Sequence, residues 1–198
     1  MSYAIIGSGA IGGAIAKQFA RSKINTVITN RRGPASLEHV AEAFGPTVNA
    51  AETTDALDAE VIILAIPFEA VAEVAEQRSD WSGKIVVDAT NAIEFPAFKP
   101  KDLGGRPSSQ VVAAQFKGAK VVKAFNTLPA AVLTDDPRRS EGNRTIFVSG
   151  DYPDANEEVA SLASSLGFGP ITLGRLEEGG LLQQFGGPLM VQNLIKQR

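Results

Sequence analysis

The sequence predicts an α/β protein with a doubly wound, mainly parallel sheet of about eight strands and a short helical C-terminal extension. Two observations carry this prediction. Strand-like apolar segments alternate with helical segments along most of the chain, which is the order expected when helices connect parallel strands. The run from Ala59 to Pro67 is almost entirely apolar, as is typical of a parallel strand buried on both faces.

The predicted elements follow from these patterns in chain order. Strands are predicted at 2–6, 25–29, 47–49, 59–67, 84–91, 119–127, 144–149 and 170–173. Helices are predicted at 10–21, 36–44, 68–78, 109–116, 154–166 and 189–196, with a helical turn at 55–59. The loop 92–105 is rich in Pro, Gly and Lys and is long enough to be functional or mobile. One domain over residues 1–198, with the extension beginning near residue 175, accounts for the whole chain.

The first predicted strand runs directly into a G-x-G-x-x-G motif, formed by Gly7, Gly9 and Gly12. In a Rossmann fold the first glycine permits a tight turn, the second lets a pyrophosphate approach the backbone, and the third lets the helix pack on the strand. The helix that begins near Ala10 then points its positive end at the pyrophosphate. Because the motif lies between a strand and a helix, it predicts a dinucleotide site rather than an ordinary glycine turn.

The end of the second strand predicts which dinucleotide binds. NAD enzymes usually end this strand with Asp or Glu, which binds the ribose 2′-hydroxyl. This chain has Asn30, followed by Arg31 and Arg32. A carboxylate would repel a 2′-phosphate, but a guanidinium attracts it and can bind it in bidentate fashion. The predicted cofactor is therefore NADP(H).

Ligands of an open parallel sheet cross the carboxyl ends of its strands. The long apolar strand ends at Ala65, Ile66 and Pro67, which we expect to lie along the cofactor's ribose. Asn91 and Asn126 end two later strands and offer amides near the nicotinamide or its acceptor. Asn at the end of a strand is also common where a turn begins. A role beside the nicotinamide and a purely structural role in the turn therefore both stay open for these two residues.

Few side chains of this sequence are candidates for a general acid or base. His39, the one histidine, falls on the adenosine side of the site and is predicted to be a surface or packing residue. Lys123 lies within an apolar strand, where it is a desolvated proton donor, extends its ammonium to solvent, or pairs with a carboxylate such as Asp88. No catalytic residue and no metal site are predicted. This composition favours hydride exchange between two bound cofactors over ketone reduction, because exchange needs placement rather than a proton donor.

Composition excludes several other classes of function. A net charge of −3 gives no basic surface for nucleic acid. The absence of cysteine removes disulfides and thiolate catalysis and fits a reducing cytoplasm. The sequence has neither a signal-peptide pattern nor an apolar run of about 20 residues. We therefore expect a cytoplasmic protein, away from membranes, that acts on a small molecule. Its apolar tail 189–195 is expected either to form a homodimer contact or to pack on its own sheet.

The combined motifs resemble a known family, the NADP-dependent reductases of the deazaflavin coenzyme F-420. Besides the glycine motif, the resemblance rests on Asn-Arg-Arg-Gly-Pro at 30–34, Ala-Ile-Pro at 65–67, Asp-Ala-Thr-Asn at 88–91 and Val-Val-Lys-Ala-Phe-Asn-Thr at 121–127. It covers nearly the whole chain. Related domains occur in the cytoplasmic part of the six-transmembrane ferric reductases.

The resemblance implies a Rossmann domain that binds NADPH with a deazaflavin or flavin ring stacked near the nicotinamide. It implies that Ser8, Ala10 and Ile11 line the pyrophosphate, that the two arginines hold the 2′-phosphate, and that Pro67 borders the nicotinamide ribose. The segment 181–188 is implied either to close over the second ring or to form a dimer contact.

Two other functions remain open on the sequence. One is reduction of a small imine or carbonyl, as in pyrroline-carboxylate reductases, whose long helical dimerisation domain has no counterpart after the last predicted strand. The other is a sensor that binds NADPH without turnover, which the small number of acid and base groups permits.

Overall fold

The structure is a computed structural model and describes residues 1–197. Its strands are β1 (Tyr3–Ile6), β2 (Thr26–Thr29), β3 (Val48–Ala50), β4 (Val61–Leu64), β5 (Ile85–Asp88), β6 (Ile93–Glu94), β7 (Lys99–Pro100), β8 (Lys120–Ala124), β9 (Gly142–Gly150), β10 (Gly169–Thr172) and β11 (Ile195–Gln197). Its helices are α1 (Ala10–Ser22), α2 (Glu38–Phe44), α3 (Thr53–Ala56), α4 (Val71–Ala75), α5 (Ser108–Ala113), α6 (Ala130–Thr134), α7 (Pro153–Ser165) and α8 (Gly179–Gln183). Two 3-10 turns, Pro34–Leu37 and Phe68–Ala70, precede α2 and α4.

The central sheet has the order β10-β9-β8-β5-β4-β1-β2-β3. Six neighbouring strands of this sheet are parallel to one another, in the order β3, β2, β1, β4, β5 and β8. Strand β9 is antiparallel to β8. The predicted doubly wound, mainly parallel sheet is therefore confirmed. The chain reverses its direction of winding between β1 and β4, so the carboxyl ends of these strands border the crevice where such folds bind ligands.

Side chains from both faces of the sheet are buried. Ile63 of β4 belongs to the cluster that includes Phe19 of α1, and its neighbour Ile62 belongs to the cluster that includes Trp81 and Phe116 on the opposite face. Because successive strand residues point to opposite faces, a strand covered on both sides needs apolar residues throughout. This explains the unbroken apolar sequence of β4.

The predicted helix at 189–196 is wrong. Residues 195–197 instead form β11, which pairs antiparallel with the start of β9, placing Ile195 opposite Arg144. The preceding turn is held by the Val191 amide, which donates to the Thr127 carbonyl at 2.8 Å. A helix this short is costly to nucleate, and the open edge of β9 offers the tail backbone partners instead. The helical part of the extension is α8, and the homodimer contact stays a prediction.

One prediction about a single side chain can be compared directly with the structure. His39 is exposed on α2, which confirms it as a surface residue. Within the described residues no helix is long and apolar enough to cross a membrane. The same part of the chain contains no cluster of three His, Cys, Asp or Glu side chains that could hold a metal ion.

Candidate dinucleotide site

A cavity of about 320 Å³ opens at the carboxyl ends of β1 and β4. Most of the residues predicted for the cofactor meet there, in the loop after β1, in the loop after β2 and in the turn after β4. Its lining is Ile6, Gly7, Ser8, Gly9, Asn30, Arg31, Arg32, Thr53, Ala65, Ile66, Pro67, Ala70, Glu73, Val74 and Gln77. Four chain segments that are far apart in sequence thus form one site, with Thr53 alone representing the fourth.

The three glycines of the motif have different surroundings. Gly7 has a φ of +107°, and a Cβ there would overlap the Ala65 carbonyl oxygen. A Cβ on Gly12 would overlap the carbonyl oxygen of Gly7, so α1 packs directly against the loop. A Cβ on Gly9 would meet no protein atom within 4 Å. Gly9 therefore leaves open space on the cavity side, as a backbone that cradles a pyrophosphate requires.

The N-terminus of α1 is available to an anion. Gly9 is its N-cap residue and makes no side-chain capping hydrogen bond, and the first turn contains no acidic side chain. The first-turn amides, including those of Ala10, Ile11 and Gly12, have no partner within the helix and carry the positive end of its dipole. Ala10 and Ile11 are not part of the cavity lining, so only their backbone amides at the start of α1 are candidates for a contact with the cofactor.

Asn30 organises the loop after β2. Its Nδ2 donates to Ser8 Oγ at 2.9 Å, which joins this loop to the glycine loop. Its Oδ1 accepts from the backbone N–H of Arg32 at 2.8 Å and from Ser36 Oγ at 3.1 Å. These bonds fix the backbone from which both arginines project. The side chain of Asn30 thus holds the loop in shape while lining the cavity.

Arg31 and Arg32 both line the cavity, but their surroundings differ. Arg31 forms an ion pair with Glu73 of α4, which lines the same cavity. Within residues 1–197, Arg32 has no carboxylate partner. Sequence reasoning missed Glu73, along with the rest of the α4 wall and Thr53, whose hydroxyl lies 3.0 Å from that of Thr29. No local motif marks these residues, because only the fold brings them to the loop after β2.

The wall opposite the arginines begins at the end of β4. The Ala65 amide donates to the Ile6 carbonyl at 2.9 Å, and the Ala70 amide donates to the Pro67 carbonyl at 2.9 Å. Next to this turn, the Lys101 ammonium donates to Glu69 at 3.0 Å and lowers the pKa of that carboxyl. This contact connects the β6–β7 hairpin to the turn after β4.

Asn91 and Asn126 lie together but outside the cavity lining. Asn91 Nδ2 donates to the Asn126 carbonyl at 3.0 Å, and Asn126 Nδ2 donates to Asn91 Oδ1 at 3.0 Å. Asn126 also donates to the Gln183 carbonyl of α8 at 2.8 Å. The side-chain oxygens of Asn126 and Gln183 are buried and accept no hydrogen bond. This amide pair thus holds the ends of β5 and β8 beneath α8.

Lys123 is fully buried and is paired with Asp88. The Lys123 ammonium lies 3.0 Å from Asp88 Oδ2 and donates to the Thr90 carbonyl at 3.0 Å. Asp88 Oδ1 in turn accepts from the Thr90 amide and hydroxyl at 3.0 and 2.7 Å. The predicted pairing with Asp88 is confirmed. The ion pair fixes the turn that carries Asn91, and it has no access to the cavity.

The amino-terminal part of the chain matches the sequence model of a known protein family. Residues 2–92 match the family described as NADP oxidoreductase, coenzyme F-420-dependent. This range contains the glycine loop, both arginines and α4.

Similar proteins extend the match to nearly the whole chain. A hypothetical protein of Sinorhizobium meliloti, SMa0349, is 57% identical over 99% of this chain and 96% of its own, with a TM-score of 0.97. A protein from Arthrobacter sp. FB24, described as an F-420-dependent NADP reductase, is 29% identical over 89% of this chain and 86% of its own, with a TM-score of 0.73.

The chain is also similar to part of a larger protein. It is 28% identical over 173 residues to the metalloreductase STEAP3 of Rattus norvegicus, a match that includes 87% of this chain. The chain spans about a third of the length of that relative, 33%.

Proposed function

We propose that this chain, whose residues 2–92 match the family of coenzyme F-420-dependent NADP oxidoreductases, transfers a hydride between NADP(H) and a deazaflavin or flavin acceptor. The single observation that carries the proposal is the cavity that joins the glycine loop to an arginine pair. One end of this cavity suits a pyrophosphate and the other suits a 2′-phosphate.

The residues present fit an NADP molecule. The open side of Gly9 and the uncapped start of α1 would hold the pyrophosphate. Arg31 and Arg32 would hold the 2′-phosphate, and Pro67 would border the nicotinamide ribose. When bound, NADPH supplies the hydride that is transferred. The protein's own contribution is to orient the cofactor and to leave room for an acceptor beyond the end of β4.

A flavin-type acceptor needs fewer protein groups for the reaction than a ketone does. Among the described residues, the titratable side chains in the lining are Arg31, Arg32 and Glu73, and all three lie at the predicted adenosine end. Lys123 is paired and enclosed. A ketone needs a proton donor beside the reacting carbon. A hydride acceptor that carries its own reactive ring needs mainly close, oriented contact.

The test is cofactor titration followed by an acceptor screen. NADPH and NADH are titrated into the purified protein, and NADPH oxidation is then followed with coenzyme F-420, FMN, FAD or a ferric chelate. We expect NADPH to bind more tightly than NADH and to be oxidised with F-420 or a flavin. Binding without turnover of any acceptor would favour a sensor, turnover with the ferric chelate alone would favour a metal reductase, and failure to bind NADPH would refute the cofactor assignment.

A further inference from the structure

The carboxylate of Glu73 faces the arginine pair from the other side of the cavity. It projects from α4 and forms an ion pair with Arg31, and both residues line the cavity. The side chains of Arg31 and Glu73 are 68% and 60% exposed. Solvent screens a pair this exposed, so its net stabilisation is small and a competing ligand can replace it.

The charge balance of this end of the cavity depends on Glu73. Without Glu73, the two guanidinium groups of Arg31 and Arg32 would match a 2′-phosphate, which carries a charge of about −2 near neutral pH. With Glu73 present, one positive charge is already neutralised, and the phosphate adds to an existing negative charge. Glu73 therefore opposes the group that distinguishes NADPH from NADH.

The same carboxylate suits the other dinucleotide. NAD enzymes bind the ribose 2′-hydroxyl with an acidic side chain at the end of β2, where this chain has Asn30. The fold brings an acidic side chain to the same cavity from α4 instead. A carboxylate accepts a hydrogen bond from a hydroxyl and repels a phosphate.

From these contacts we propose that Glu73 sets the cofactor preference of the site: it lowers affinity for the 2′-phosphate by occupying Arg31, and it allows NADH to bind. The proposal rests on the proposed NADP(H) function and specifies its selectivity. The site is thus a dual-cofactor site whose preference for NADPH is held down by one exposed carboxylate. When NADPH binds, Arg31 leaves Glu73 and pairs with the 2′-phosphate.

The variant Glu73→Gln tests this proposal. It keeps the shape of the side chain and removes its charge, and because Glu73 is exposed the variant should fold like the wild type. We expect the Kd for NADPH to fall about two- to fivefold, the range of an exposed ion pair, and the Kd for NADH to rise, because a neutral amide oxygen is a weaker acceptor for the 2′-hydroxyl than a carboxylate. The matched control is Glu76→Gln, which removes an equal charge just after α4 at an exposed residue outside the cavity lining.

Titrations of both cofactors at low ionic strength, about 10 mM, give the largest difference because salt screens these charges. In an Arg31→Ala background, the effect of Glu73→Gln on NADPH should shrink below about twofold. Equal weakening of both cofactors in Glu73→Gln would overturn the proposal, since it would mean that the ion pair closes over a shared part of the dinucleotide. An effect no larger than that of Glu76→Gln would also overturn it. If the wild type itself binds no NADPH, the proposed function fails instead.

Discussion

Gly9 and Gly12 belong to one motif, but their surroundings predict opposite effects of substitution. A Cβ at Gly9 would meet only open space, and a Cβ at Gly12 would overlap the backbone of Gly7. We expect Gly9→Val to fold with nearly unchanged stability and to lose NADPH binding, because its side chain would fill the pyrophosphate space. Gly12→Ala should be destabilised by about 1–3 kcal/mol through overpacking. Urea unfolding and NADPH titration measure both quantities.

The neighbouring Gly13 supplies the control for this pair. It lies in α1, and a Cβ there would meet nothing within 4 Å. Gly13→Ala should gain up to about 1 kcal/mol of stability from helix propensity. Unchanged NADPH affinity in Gly9→Val would mean that the glycine loop is not the binding site.

The arginine pair is expected to discriminate between the two dinucleotides. Replacing Arg31 and Arg32 together by Ala should weaken NADPH binding by about 2–4 kcal/mol, taking ~1–2 kcal/mol for each charge-assisted contact. NADH lacks the 2′-phosphate, so its Kd should change little. Isothermal titration of both cofactors against the double variant measures this difference. Equal losses for NADPH and NADH would refute the assignment of the 2′-phosphate to these arginines.

At the scale of elements, the pair formed by Lys123 and Asp88 connects β8 to β5 inside the core. Both side chains are fully buried. Lys123→Met should cost about 3–5 kcal/mol of unfolding free energy, because it leaves the Asp88 charge buried without its partner. Adding Asp88→Asn should recover part of the loss, since the remaining Oδ1 can still accept from Thr90. Denaturant unfolding of the single and double variants gives the comparison. If the double variant were no more stable than Lys123→Met, an unpaired buried charge would not be the cause.

Elements defined by local pattern could be predicted from the sequence, and elements defined by distant contacts could not. The strand, glycine loop and helix of β1 and α1 follow from consecutive residues. The short helix α6 was missed because distant groups hold its end, with Gln18 Nε2 of α1 donating to the Leu133 carbonyl at 2.6 Å. The tail was mistaken for a helix because its apolar residues fit either structure, and only the edge of β9 decides for β11.

Across the complete fold, the parts of the site that follow a strand could be predicted from the sequence, and the part carried by α4 could not. The glycine loop and the arginines directly follow strands, so the topology of a parallel sheet places them at one edge. Glu73 lies 42 positions beyond Arg31, and no spacing rule connects them. The side of the cavity formed by the loops after β1 and β2 could thus be predicted, and the side formed by α4 could not. In our proposal, this second side determines the cofactor preference of the site.

Carboxylates across the surface predict how the whole molecule responds to acid. The pKa of Glu60 is lowered chiefly by the backbone N–H of Ser2, that of Asp80 by the hydroxyl of Ser82, and that of Asp154 by the ammonium of Lys120. The pKa values of Glu69, Asp136 and Glu141 are lowered as well. The surface carboxylates named here are therefore ionised more readily in the folded chain than in the unfolded chain.

This shared direction fixes the sign of the pH dependence. A carboxyl group whose pKa is lower in the folded than in the unfolded state stabilises the protein at pH values above its unfolded-state pKa. This stabilisation is lost as the pH falls through the folded-state pKa. With ordinary values of 4.5 for Glu and 3.8 for Asp, the melting temperature should be nearly constant from about pH 8 to 6 and fall below about pH 4.5. Melting curves measured by circular dichroism across this range test the expectation. Because these groups are exposed, about 1 M salt should reduce the fall. A melting temperature that rises between pH 4.5 and 3 would show that repulsion among carboxylates, rather than their hydrogen bonds and ion pairs, governs the acid response.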